Sequence, residues 1–255
     1  MKKQVITLAL ILIFNIVSFG QQSLTGSVIY EETTRLDIKI DGEMATMIKD
    51  LPKEKKSEKI LWFSPHASLY DKYIKEDESA ANSGYWVSEN NMKIVISEPV
   101  NTVFVDLKKK KMIEQKEFMT RMFLITGDLP EKEWKITGHQ EMILDHQCIE
   151  ATHTDTSGMV TCVWFTPSID IPAGPGEYCN LPGLVMKVDI DNGKRIFEAR
   201  KISFDNPGQD VFKKPGKGKK VSREEFDTIV AEKLKEMGVE KGNAKSGTVV
   251  IKIRK

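Results

Sequence analysis

The chain has 255 residues, 38 of them Lys or Arg and 37 Asp or Glu, with a formal net charge of +1 at pH 7 and 40% hydrophobic side chains. This balance lacks the basic surplus that nucleic-acid or anionic-membrane binding draws on. The length and apolar content suit one sizeable core, so a single domain is expected.

Lys2 and Lys3 precede an apolar run over residues 5–14, which continues through Ile16 and Val17. Ser18 and Gly20 supply small residues at −3 and −1, so residues 1–20 read as a signal peptide cleaved before Gln21. Asn15 interrupts the segment, which is shorter than the roughly 20 apolar residues of a membrane span. A periplasmic or secreted protein is expected, with no transmembrane anchor in the mature chain.

Residues 21–212 are expected to form one mainly-β domain. Short runs rich in β-branched and aromatic residues lie at 27–30, 59–63, 68–74, 92–96, 102–107, 118–125, 148–152, 160–165, 184–190 and 195–204. A weak helix is expected at 43–50, before Pro52. The spacing of turn residues suits antiparallel pairing, with 108–111 as an exposed hairpin end. Asp191-Asn192-Gly193 is the strongest hairpin signal, because Asn-Gly tolerates the positive φ pair of a type I′ turn. A basic linker follows at 213–221. Residues 222–255 then hold a helix and a final strand at 248–253. Ser222 caps that helix, Glu225 completes a capping box, and Phe226, Ile229, Val230, Leu234 and Met237 line one face before Gly238 ends it. The fold class is α+β: a mostly antiparallel, strongly curved sheet or half-open barrel, with short helices and an amphipathic C-terminal helix. Lipoprotein-carrier folds offer an architectural analogy.

Few residues carry obvious chemistry. Cys148, Cys162 and Cys179 in an oxidising compartment allow one disulfide. If His153 pairs with Ser157 across the turn near Asp155, Cys148 falls opposite Cys162. A Cys162–Cys179 bridge is equally open, as is a free, inert Cys148. His146 and Cys148 share a strand face and, with His153, form the candidate metal ligands, while His66 and His139 read as surface residues. No catalytic constellation or cofactor motif is present. Residues 189–193 lack the closing Glu of a calcium loop, and 215–220 lack the spacing of a phosphate loop.

The most informative stretch is Gly174-Pro175-Gly176-Glu177-Tyr178-Cys179-Asn180-Leu181-Pro182-Gly183-Leu184. Two Pro-Gly units set locked beside permissive φ, which makes a rigid turn. Asp128-Leu129-Pro130, Trp134-Lys135-Ile136-Thr137, Cys148-Ile149-Glu150, and Trp164-Phe165-Thr166-Pro167 precede it. In this order and spacing the blocks resemble the GLPGLI family of secreted proteins, over about residues 123–193. Asn180 stands where that family has its first Gly, and Asn is the best non-Gly residue for a left-handed turn. The resemblance implies an exported protein and leaves its activity open. The expected function is non-enzymatic binding of a small apolar ligand or partner through the curved sheet. The alternatives are an accessory protein of TonB-dependent outer-membrane machinery and a metal-binding protein using the His/Cys region.

Overall fold

The computed structural model describes residues 24–36, 53–74, 84–87, 93–96, 99–236 and 251–254. The leader with Gly20 and Gln21, the 43–50 helix, Met237 and Gly238 lie outside the described residues.

The chain is mostly β. The strands are β1 (Gly26–Arg35), β2 (Glu54–Phe63), β3 (Ala67–Lys72), β4 (Gly84–Val87), β5 (Lys93–Ile96), β6 (Asn101–Asp106), β7 (Lys111–Phe118) and β8 (Arg121–Asp128). They continue with β9 (Lys135–Ile143), β10 (His146–Thr154), β11 (Val160–Thr166), β12 (Leu184–Ile190), β13 (Arg195–Ser203), β14 (Lys219–Val221) and β15 (Ile251–Arg254). One α-helix, α1 (Arg223–Glu236), and a 3-10 turn at Gln209–Phe212 complete the described elements.

Twelve strands form one unclosed sheet in the order β14-β8-β7-β6-β3-β2-β1-β13-β12-β11-β10-β9. Two antiparallel meanders, β6–β8 and β9–β13, are joined by a third, β1–β3, in which β3 pairs with β6 and β1 with β13. β15, β5 and β4 make a separate three-stranded sheet. The large sheet curves around its core. Tyr70 on β3 and Phe197 on β13 are three strand spacings apart, about 14 Å in a flat sheet, yet their rings lie 6.3 Å apart. Tyr30 meets Tyr70 at the same 6.3 Å and donates its hydroxyl hydrogen to the Val185 carbonyl at 2.5 Å. The concave side is therefore packed with Tyr30, Phe63, Tyr70, Phe165 and Phe197, all almost fully buried.

Helix α1 forms as its sequence dictates. The Ser222 hydroxyl accepts from the Glu225 amide at 3.1 Å, and the Glu225 carboxylate accepts from the Ser222 amide at 2.8 Å, so both halves of the capping box are made. Phe226 docks edge-on against Phe118 and Phe123, at 6.1 and 5.2 Å between ring centroids. Arg223 pairs with the buried Glu114 on β7.

Several local expectations are revised. The run at 118–125 is not one strand but a hairpin: Met119 and Thr120, at φ 48° and 66°, form a two-residue loop between β7 and β8. The Asp191-Asn192-Gly193 hairpin forms between the strands expected, with Ile190 paired to Arg195, and only its turn differs from a two-residue type I′ loop. Asp191, Asn192 and Gly193 all take positive φ, and the Asp189 carboxylate accepts from the Gly193 amide at 2.6 Å. In the basic stretch after residue 212, Lys219 and Lys220 leave solvated coil and pair in parallel with β8 as β14.

Candidate functional site

The 174–186 loop is built around close backbone approaches. Gly183 has φ 143°, and a Cβ there would fall on the Thr166 carbonyl. Gly174 leaves room for the Tyr178 carbonyl and the Val185 side chain. Asn180 sits at φ 66°, its amide donating to the Pro172 carbonyl at 3.0 Å, so the residue that replaces Gly adopts the turn geometry. The turn delivers Leu181, Leu184, Val185 and Met186 into the core, where each is buried. Trp164 lies on β11 with Lys187 4.6 Å over its ring, and Pro167 follows that strand, its Cα beside Gly183. Pro175 accepts the Tyr178 amide proton at its carbonyl, and Pro182 lies between buried Leu181 and Gly183.

Beneath the loop the space is filled. The Tyr178 ring lies 5.9 Å from Phe197 and 5.5 Å from the Lys132 ammonium, which also pairs with Glu177 at 3.2 Å. Burial and the Glu177 charge push the Tyr178 hydroxyl well above its ordinary range. Arg195 stacks 4.7 Å from Phe197 and donates to the buried Glu32 carboxylate at 2.7 Å. Burial opposes the Arg195 charge, but Glu32 together with the neighbouring Tyr70 and Tyr178 holds the guanidinium above its ordinary range. Two recesses of the surface, about 510 and 240 Å3, lie elsewhere, and neither is lined by this loop. These residues pack the concave side under the loop.

The expected disulfide is not formed: Cys148, Cys162 and Cys179 are all free thiols. The reason is register. Thr152 faces Cys162 and His153 faces Thr161, so Cys148 lies four residues along β10 from the position opposite Cys162. Nor do the thiols suit nucleophilic catalysis. Burial, then Glu141, pushes Cys148 up to about 11, and burial, then Glu177, pushes Cys179 up to about 12. Cys162 is raised by burial and by Glu150 and Asp189. A thiol in such surroundings stays protonated at neutral pH.

The candidate metal ligands go to separate partners. His146 Nδ1 lies 3.1 Å from the Ser168 hydroxyl, while Cys148 points into the core and contacts the His146 carbonyl. His153 Nδ1 meets the Glu133 carbonyl at 3.1 Å, its ring edge-on to Trp134. Among the described residues no three His, Cys, Asp or Glu side chains converge as a metal would need.

What stands open is the end of the sheet. Among the described residues β9 pairs only with β10, and seven of its nine residues are exposed. Ile136 and Met142 expose 57% and 63% of their surface, and Leu144 at the hairpin tip exposes 39%. Leu144 and Asp145, at φ 48° and 64°, form a two-residue loop closed by the Ile143–His146 pair. Antiparallel alternation from that hydrogen-bonded pair turns the amides of Met142 and Gln140 toward the open side. Midway, Thr137, Gly138 and His139 bulge opposite Glu150, whose carboxylate accepts from Thr137 at 2.5 Å and lies 2.9 Å from His139 Nδ1. Gly138 takes φ 86° there.

No family model matches the chain, and no curated protein does. Solved structures do match. The structure of PNGF-II in a P21 crystal form aligns with a TM-score of 0.54 and 14% identity, covering 82% of this chain and 34% of that one. PNGF-II in a C2 form aligns at 0.53 and 15%, covering 80% and 32%. The chain thus spans about a third of PNGF-II's length, and the likeness shows a shared fold alone. No described helix is long and apolar enough to cross a membrane.

The sequence did not single out β9. Its residues Lys-Ile-Thr-Gly-His-Gln-Glu-Met-Ile lack sustained alternation because both faces and one edge meet water. The one available signal was Gly138 within a run otherwise able to extend, the pattern of a bulge at a sheet edge.

Proposed function

We propose that this is an exported, non-enzymatic protein that binds an extended segment of another envelope protein along the free edge of β9. One observation carries the reading: beyond its bulge, β9 offers a regular edge over residues 140–143 with outward amides and the exposed Met142 side chain, the surface that strand addition uses. The packed concave side argues against an apolar ligand held inside the sheet. The raised thiols and scattered histidines supply no activated nucleophile and no ligand set. The leader ending at Gly20 and the resemblance of residues 123–193 to the GLPGLI family support export and suit an accessory role at outer-membrane transport machinery.

The test is a photo-crosslinking amino acid placed at position 142 in cells, compared with one at Lys220 on the opposite edge. We expect an adduct with one envelope protein from position 142 alone, lost when Gln140→Pro removes an outward amide proton while circular dichroism stays unchanged. Equal adducts from both positions, or an adduct that survives Gln140→Pro, would sink the edge-binding reading. A mature chain that does not begin at Gln21 by intact mass would sink the export reading separately.

A further inference from the structure

The larger recess lies at the other end of the sheet, between β8, β14 and α1, with a volume of about 510 Å3. That is within the range of roughly 300–1,000 Å3 typical of small-molecule sites. Met122, Phe123 and Ile229 form its apolar part, while Arg121, Lys219 and Lys233 supply three cations against the single carboxylate of Glu232. Lys233 pairs with Glu236 at 2.5 Å, whereas Arg121 and Lys219 make no ion pair among the described residues.

The fold assembles this recess specifically. Gly218, at φ 124°, lets the chain lie flat on β8; a Cβ there would come within 2.7 Å of the Phe123 carbonyl carbon. That approach sets Lys219 in register with Phe123. The Phe226 dock fixes the helix, and Ile229 and Lys233, three and seven residues later, continue the same helical face past the aromatic cluster. An apolar wall is thereby joined to a rim that carries Arg121 and Lys219, with Glu232 as the one carboxylate facing them.

We propose that this recess binds an amphiphile with one anionic headgroup and one apolar chain. The chain would lie along Ile229 and the margin of Phe123, on the face of β8 that α1 covers, and the headgroup would sit between Arg121 and Lys219. A carboxylate gains charge-assisted hydrogen bonds from both cations, and the partly apolar surroundings strengthen them. The site is independent of the β9 edge.

Laurate below its micellar concentration, titrated by calorimetry into the full mature chain, tests the idea. Acetate (headgroup without chain) and dodecyltrimethylammonium (chain with opposite charge) serve as comparisons. We expect one laurate per chain, with acetate and the cationic amphiphile at least about tenfold weaker, or about 1.4 kcal/mol. The Arg121→Glu/Lys219→Glu variant should lose laurate binding by a similar factor or more with its thermal midpoint unchanged, and Arg121→Lys/Lys219→Arg should keep it. Should the charge-reversed variant misfold, Ile229→Asp gives a second readout through the chain-binding wall. Equal binding of the cationic amphiphile, unchanged affinity in both the charge-reversed and Ile229→Asp variants, or no heat with laurate up to about 1 mM would overturn the proposal. Binding to phosphatidylglycerol vesicles without binding to free laurate would overturn the single-chain assignment.

Discussion

Replacing Gly183 with Ala is the most direct way to ask whether the Leu181-Pro182-Gly183-Leu184 turn is architectural. At φ 143° the residue occupies backbone space that L-residues avoid, which costs about 1–3 kcal/mol for a non-Gly residue. The added Cβ would also stand 2.7 Å from the Thr166 carbonyl carbon and 3.0 Å from the Pro167 Cα. These are backbone atoms, so the overlap is relieved only by moving the end of β11 away from the start of β12. Such overpacking costs a further 1–3 kcal/mol or so. Together the loss is about 4 kcal/mol, a large share of a typical stability of roughly 5–15 kcal/mol. With a urea dependence near 2–3 kcal/mol per molar, the unfolding midpoint falls by about 1.5 M. Gly176→Ala is the matched control: its φ is 61°, and nothing lies within 4 Å of the new methyl, so only about 1 kcal/mol is lost. Urea titration of both variants by circular dichroism decides the matter. A Gly183→Ala midpoint equal to that of Gly176→Ala would refute the close-approach argument.

Thr120 is β-branched yet sits at φ 66° in the β7–β8 loop, so Thr120→Gly should stabilise the fold by about 0.5–1 kcal/mol after the entropy of the more flexible unfolded chain is subtracted; thermal unfolding reads it. The Glu114 carboxylate is opposed by burial but held below its ordinary value of 4.5 by Lys116 and Arg223. A depressed folded pKa means its stabilisation is complete above the unfolded value and fades as pH falls below about 4.5. Amide exchange in α1 should therefore accelerate on acidification, and Glu114→Gln should flatten that dependence while costing about 3 kcal/mol at neutral pH by leaving Arg223 unpaired. All three thiols are raised, so Ellman's reagent at pH 8 should label native protein slowly and urea-unfolded protein three times per chain. Fast labelling of native Cys148 or Cys179 would contradict their burial.

The parts of the fold legible in sequence were those where burial imposes a pattern. Strands 160–166 and 184–190 carry core residues such as Val163, Phe165, Val188 and Ile190, and their apolar runs marked them within a residue. The α1 capping box was legible because Ser222 and Glu225 act within one turn. Register was less legible. A Cys148–Cys162 pairing, one of the alternatives the sequence leaves open, requires His153 to meet Ser157, whereas the loop formed by residues 155–159 is longer and Thr154 meets Val160. The two-residue loops at Met119-Thr120 and Leu144-Asp145 carry no Gly, so their positive φ is imposed by strand twist and pairing rather than by residue preference. β14 was hidden because three residues of Lys-Lys-Val show no period, and it exists through the room that Gly218 leaves beside β8. The two open surfaces at the sheet's ends are thus the least legible parts of the chain.

The ends of this sheet are managed differently, and that difference bears on which of them takes a partner strand. At one end the terminal strand β14 is three residues long, parallel to its neighbour, rich in Lys and flanked by α1, all features that discourage further pairing. At the other end, β9 is three times as long and antiparallel, and no described element covers it. Its one guard is the bulge at Thr137, Gly138 and His139, which the Glu150 carboxylate holds in place. A bulge interrupts a ladder without capping it, and it divides the edge into a stub at Lys135 and Ile136 and a regular stretch from Gln140 to Ile143. The stretch nearest the Leu144-Asp145 tip keeps two outward amides and the exposed Met142 side chain. An incoming strand can therefore pair with that half of β9 but not run the full length of the edge. Indefinite edge-to-edge stacking, which needs a long flat strand, is discouraged, while a short extended segment is still admitted. If β9 takes a partner strand as proposed, the bulge limits the length it can pair, and Glu150, through its contacts to Thr137 and His139, is the residue that holds the bulge.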